Sequence, residues 1–219
     1  MLARTCGQRQ VEAETLGSMA ILACYNGDYR KARALHEKCL QFRRESGYRQ
    51  DIAESLGYLA FLDLAEGDVI SACALMTESL ALFRTVGAPL GIATQLNALS
   101  LAALQQGEIE AATNACLESL ELLRTAGGSR ETIDALEQMA RVCHVRGAAA
   151  QAACLLSASE ALRNHFGFRR FPFCQSLCDR LAAALQNEME KEALRAARAH
   201  GAEMTLACAV DCALGACVR

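Results

Sequence analysis

Cysteine is the residue in this chain with the most chemistry to offer. There are twelve in 219 residues. Three fall in the stretch GAEMTLACAVDCALGAC (Gly201–Cys217), and Cys174/Cys178 repeat the i, i+4 spacing of Cys208/Cys212. On a helix each such pair shares one face, so each offers two thiolates to a soft metal. Two thiolates are half of a structural zinc site, His200 is the only nearby imidazole, and no C-x2-C pair occurs. The expectation is thiols that pack as compact hydrophobes, with no metal and no cofactor.

Other reactive patterns are sparse. FGFRRFPF (Phe166–Phe173) mixes aromatics with Arg169 and Arg170, a composition that can stack on single-stranded nucleic acid. The expectation is instead that its phenylalanines fill a junction. His144 beside Cys143 is expected to be a helix residue rather than a base. The chain has neither a G-x-x-x-x-G-K-[ST] phosphate loop nor a G-x-S-x-G elbow, and it is expected not to be an enzyme.

Composition says which elements must position these residues. Hydrophobic residues make up 53% of the chain and aromatics only 5%, with Pro89 and Pro172 the only prolines. Many helix formers and few breakers predict an all-α protein. Residues 51–125 carry ten Asp/Glu against Arg84 and Arg124, an acidic stretch that argues against direct nucleic-acid binding. No run approaches about 18 uncharged apolar residues, and MLARTCGQRQ lacks an apolar signal region, so the expectation is a cytoplasmic protein without a membrane partner. A cytoplasmic setting also suits thiols rather than disulfides.

The strongest pattern is a forty-residue period. LGSMA at Leu16 returns as LGYLA at Leu56, LNALS at Leu96 and LEQMA at Leu136. Gly27, Gly67, Gly107 and Gly147 keep the interval, as do Gly47, Gly87, Gly127 and Gly167, and Ala32, Ala72, Ala112 and Ala152. Each unit reads as two helices, the first ending at a glycine suited to a left-handed C′ position. Asp28 and Asp68 follow as caps, whereas Ala148 lacks the oxygen and predicts a less sharp start. Cysteines fall at small-residue positions: Cys39 aligns with Ser79, Ser119 and Ser159, and Cys154 with Ala34 and Ala74. Asp63, aligned with Ala23, Ala103 and Cys143, departs from the pattern and predicts a gap in the stack or a slipped register.

The expected organisation is a helix-pair solenoid over 1–165, with four units starting near 11, 51, 91 and 131, closed by capping helices over 166–219. Thr205 should cap the last helix, whose Leu206, Ala209, Val210, Ala213 and Leu214 form one stripe. Opposite the packing stripe, the first helices carry Tyr25, Glu54, Tyr58, Phe61, Leu101, Gln105, Gln138 and Arg141, with Asn97 nearby. Tyr58, Phe61 and Leu101 are expected to line an exposed groove for a protein, a peptide or other domains of the same polypeptide.

Leu/Met/small residues in the first helix, a turn glycine and small residues in the second resemble a tetratricopeptide repeat. HEAT-type repeats share the longer period and are the alternative; the prolines near unit junctions favour the first. The clamp of that family, which holds C-terminal carboxylates, needs several Lys, Arg and Asn, and Arg141 with Asn97 does not supply them. AACLLSASEALRNHFGF (Ala152–Phe168) and ALRAARAHGAEMTLACAVDCAL (Ala193–Leu214) resemble blocks of bacterial multidomain signalling ATPases, including LuxR-type transcriptional regulators. Arg198 or Ala199 stands where those proteins commonly have Trp. The resemblance implies a C-terminal sensor or interaction region of such a protein; a free-standing adaptor that bridges partner proteins is the alternative.

Overall fold

The computed structural model describes residues 2–215, with side chains from Gln10 onward. Cys6 and Cys217 therefore lie outside the described side chains. The described residues form eleven α-helices and no strand: α1 (Leu2–Tyr25), α2 (Tyr29–Ser46), α3 (Arg49–Glu66), α4 (Val69–Val86), α5 (Pro89–Gln106), α6 (Ile109–Ala126), α7 (Ser129–Val145), α8 (Ala149–Phe166), α9 (Pro172–Glu188), α10 (Lys191–Ala202) and α11 (Leu206–Gly215). This is the expected all-α class of paired, repeating helices. Helices α1, α3, α5 and α7 are the first-type members of the four pairs, and α2, α4, α6 and α8 the second-type.

Backbone geometry at the intra-pair turn explains why the period is so regular. Gly67 has φ +88°, its N–H donates to the Leu64 carbonyl, and the Asp68 N–H reaches back to the Asp63 carbonyl at 2.9 Å. The same double closure recurs at Gly27, Gly107 and Gly147. Asp28 and Asp68 do cap, accepting from the N–H groups of Lys31 and Ser71 at 3.1 and 3.0 Å. Ala148 does not, yet α8 starts in the same register, with Ala148 φ and ψ close to those of Asp28. The turn closure, present in all four copies, sets the start whether or not a cap follows. A Cβ at Gly67 would meet no neighbour within 4 Å. Gly67→Val should therefore cost only the left-handed backbone strain, about 1–2 kcal/mol; an unchanged thermal midpoint would show that the turn does not need this conformation.

Two compact units divide the chain. The first comprises residues up to Gln95 together with Arg170–Phe173. In it α1 packs on α2, α2 on α3 and α3 on α4. Ala23, Cys24, Ala32, Leu40, Leu56, Leu59 and Leu62 form one cluster, so second-type residues contact the next first-type helix directly. Asp63 is neither at a gap nor out of register. It is buried and holds Arg33 Nη2 at 2.7 Å, so a charge on α2 balances the one on α3. By length and mean hydropathy, α4 is the one described helix able to cross a membrane, but it carries Glu78 and Arg84 and buries one face in the repeat.

The second unit runs from Leu96 to Arg169 and from Cys174 onward. Here α6 packs on α7, α7 on α8, and α10 on α8, while α11 crosses α6, α7 and α8. Thr205 Oγ1 accepts the Cys208 N–H at 3.2 Å, and Ala209, Val210 and Ala213 are buried as the stripe predicts. Gly201 lets α10 lie close to α8: a Cβ there would fall 2.1 Å from the Cys154 carbonyl oxygen.

The ten described cysteines are thiols. At the Cys39 position the side chain does more than fill space. Cys39 Sγ donates to the Ala13 carbonyl at 3.2 Å and Ser79 Oγ to the Ala53 carbonyl at 2.7 Å, so cysteine and serine alternate as donors in one slot. Burial pushes the Cys24 and Cys154 thiols up to about 11, which leaves both in the protonated, unreactive form.

Candidate functional site

In the first unit the sequence-predicted residues Tyr25 on α1 and Phe61 on α3 share a neighbour. What joins them is the chain itself. Phe171 lies between the two rings, 4.4 Å from Tyr25 and 5.1 Å from Phe61 between centroids. Phe173 meets Phe61 edge-on at 5.8 Å, and its N–H donates to Tyr29 Oη at 2.9 Å. Tilted and T-shaped pairs at these distances suit the ring quadrupoles, each adding about 0.5–1.5 kcal/mol to the area buried. The aromatic residues at the start of α9 thus sit against α1, α2 and α3, with the N–H of Phe173, in the first turn of α9, captured by Tyr29.

The other two first-unit residues have different partners. Tyr58 stacks on His36 at 4.6 Å with the planes 10° apart. Glu54 lies 3.5 Å from Arg43 Nη1; burial raises its pKa above the ordinary carboxylate value, against the pull of Arg43. Sequence reasoning missed Tyr29, His36, Phe171 and Phe173 as members of this face. The spacing of the last two, in FPF, was the available signal.

The second-unit residues are placed otherwise than expected. Leu101, expected in an exposed groove, is buried, as are Asn97, Gln138 and Arg141; Gln105 alone is exposed. Asn97 Nδ2 donates to the Glu131 carbonyl at 3.2 Å. Arg141 donates to the Glu137 carbonyl at 3.1 Å and to Cys178 Sγ on α9 at 3.4 Å. Helix α9 follows the repeats and has no counterpart in the period, which is why periodicity could not forecast what would cover α7.

Beneath Arg141 lies a charged cluster. Arg163 on α8 reaches Asp134 at 2.5 Å and Glu137 at 2.8 Å, and Cys178 Sγ donates to Glu137 at 3.6 Å. Desolvation and the adjacent Glu137 push the Asp134 pKa upward while Arg163 pulls it down. The Asp134 side chain is 45% exposed, so water screens part of that push. This arrangement ties α7, α8 and α9 together. Among the described residues no group of three or more His, Cys, Asp or Glu is placed to hold a metal ion. No protein-family model matches the chain, and no curated protein matches its sequence.

Proposed function

We propose that this helical repeat is a non-catalytic protein-interaction module whose α1–α3 face receives a short segment bearing aromatic residues. The observation that carries the reading is the seat of Phe171 between Tyr25 and Phe61, with the Phe173 N–H on Tyr29. Rigid aromatic side chains of this kind dominate binding at peptide interfaces. In this reading Phe171–Phe173 is an internal occupant, and a partner carries a similar segment. The resemblance of the tail to signalling ATPases and LuxR-type regulators favours a module in the regulatory part of a larger protein; a free-standing adaptor would use the same face.

A labelled peptide covering Gly167–Phe173 tests the reading. It is expected to bind the variant Phe171→Ala/Phe173→Ala, whose own segment is disabled, and to be excluded by the wild-type chain. Adding Phe61→Ala should weaken capture by about 30-fold, the equivalent of roughly 2 kcal/mol. A vacated but fully helical variant that ignores the peptide would sink the proposal.

A further inference from the structure

The outer face of α1 differs from its three repeat equivalents in one respect. Thr15, Met19 and Leu22 are exposed, Met19 by 45% and Leu22 by 58%. One period on, Ser55, Leu59 and Leu62 are buried; three periods on, Ala135, Met139 and Val142 are buried. On α3 the preceding second-type helix lies against those positions. Helix α2 packs on α3, with Arg43 Nη1 bonded to Ser55 Oγ at 3.0 Å and Ala32 and Leu40 in one cluster with Leu59 and Leu62. Helix α6 likewise packs on α7.

The sequence says what belongs on α1. Leu2-Ala3-Arg4-Thr5-Cys6-Gly7 repeats Leu82-Phe83-Arg84-Thr85-Val86-Gly87 and Leu122-Leu123-Arg124-Thr125-Ala126-Gly127, at spacings of two and three periods. The leucine, arginine, threonine and glycine agree in all three. In the later copies these residues are the closing turn of α4 and α6, and Gly87 and Gly127 take φ +67° and +77°. In the first copy the backbone of Leu2–Tyr25 is one helix through Gly7.

We propose that Thr15, Met19 and Leu22 form a docking surface for a second-type helix of this same forty-residue repeat, joined to α1 through Gly7. The occupant is an amphipathic helix with small and apolar residues at the α2 positions Ala32, Cys39 and Leu40. It continues an interface already present between α2 and α3 and between α6 and α7. The inference does not draw on the aromatic seat, although Leu22 stands one helical turn from Tyr25 on α1.

Peroxide oxidation of methionine reads this face directly, and Met139, fully buried at the equivalent position, is the internal reference. In the 219-residue chain Met19 should oxidise much faster than Met139. Grafting Arg49–Ala81, a complete first-type helix and most of a second, ahead of Leu2 should slow Met19 toward the Met139 rate. The same graft should raise the melting midpoint by about 4 °C or more. Leu22→Glu in the grafted chain should restore fast Met19 oxidation. A second graft, Pro89–Glu121, guards against a fault peculiar to the first. Added hairpins that stay unstructured, or that fold and leave Met19 open, would overturn the proposal. So would a 219-residue chain that dimerises and already protects Met19, because a second copy would then be the occupant.

Discussion

Arg163→Leu is expected to destabilise the second unit by about 3–5 kcal/mol, the usual cost of removing one partner from a buried ion pair. The Arg163 side chain is only 4% exposed and bonds Glu137 through both Nε and Nη2, at 3.0 and 2.8 Å. Without the guanidinium, Glu137 keeps a carboxylate in a setting built for a neutralised one. The repeat supplies the rescue. At the positions of Glu137 and Arg163 the preceding copy carries Asn97 and Leu123, a neutral combination in the same architecture. Arg163→Leu/Glu137→Asn should therefore recover most of the loss in a denaturant titration. Equal loss in the single and double variants would show that packing, not charge, sets the value at this position.

His36→Met is expected to flatten the acid side of the stability profile. His36 is 1% exposed, neither ring nitrogen has a hydrogen-bond partner, and its repeat equivalents Met76, Cys116 and Leu156 are all buried. Burial, with the nearby Arg43 charge adding to it, lowers the pKa to about 4. An unfolded histidine titrates near 6.5, so between about 6.5 and 4 the unfolded chain binds the extra proton. Stability from this group is therefore complete above 6.5 and falls as pH drops through the window, by about 3 kcal/mol in full. Replacing the imidazole by the residue found at Met76 removes that dependence and also two unsatisfied buried nitrogens. The wild-type and variant midpoints should draw apart as pH falls from 7 to 4.5. Parallel curves would mean that His36 is not held neutral.

Much of the fold was legible because it is periodic. The glycines at Gly27 and Gly67, the caps at Asp28 and Asp68, and Thr205 each act through their own backbone, so sequence alone locates them. Polar departures were legible as departures but not as pairs. Asp63 stands where other copies have Ala or Cys, and Arg33 where they have Cys73, Thr113 and Ala153. Each anomaly compensates the other across neighbouring helices, as do Glu137 and Arg163 in the last copy. The candidate site was legible only in part. Tyr25 and Phe61 fall on one face by helical spacing, yet their occupant follows the last repeat, where the period is silent. Leu101, Gln138 and Arg141 are on the anticipated side of their helices. For Arg141 the covering group is Cys178 on α9, outside the repeat, so the period could not announce it.

The seat of Phe171 and Phe173 also bears on the order in which the chain folds. Most helices meet the one before or after them, across connections of two or three residues, and such contacts close small loops. The Phe173 bond to Tyr29 spans 144 residues. Closing it from an otherwise disordered chain costs about 2 kcal/mol more entropy than closing a loop of roughly 20 residues. Local helix pairs therefore assemble first, and they shorten the effective loop before the aromatic segment docks. Refolding should accordingly show helicity returning ahead of any signal from Tyr25 or Tyr29. A nascent or partly denatured chain then presents Tyr25 and Phe61 uncovered, and the time before Phe171 arrives is an interval in which a competing aromatic segment meets least resistance.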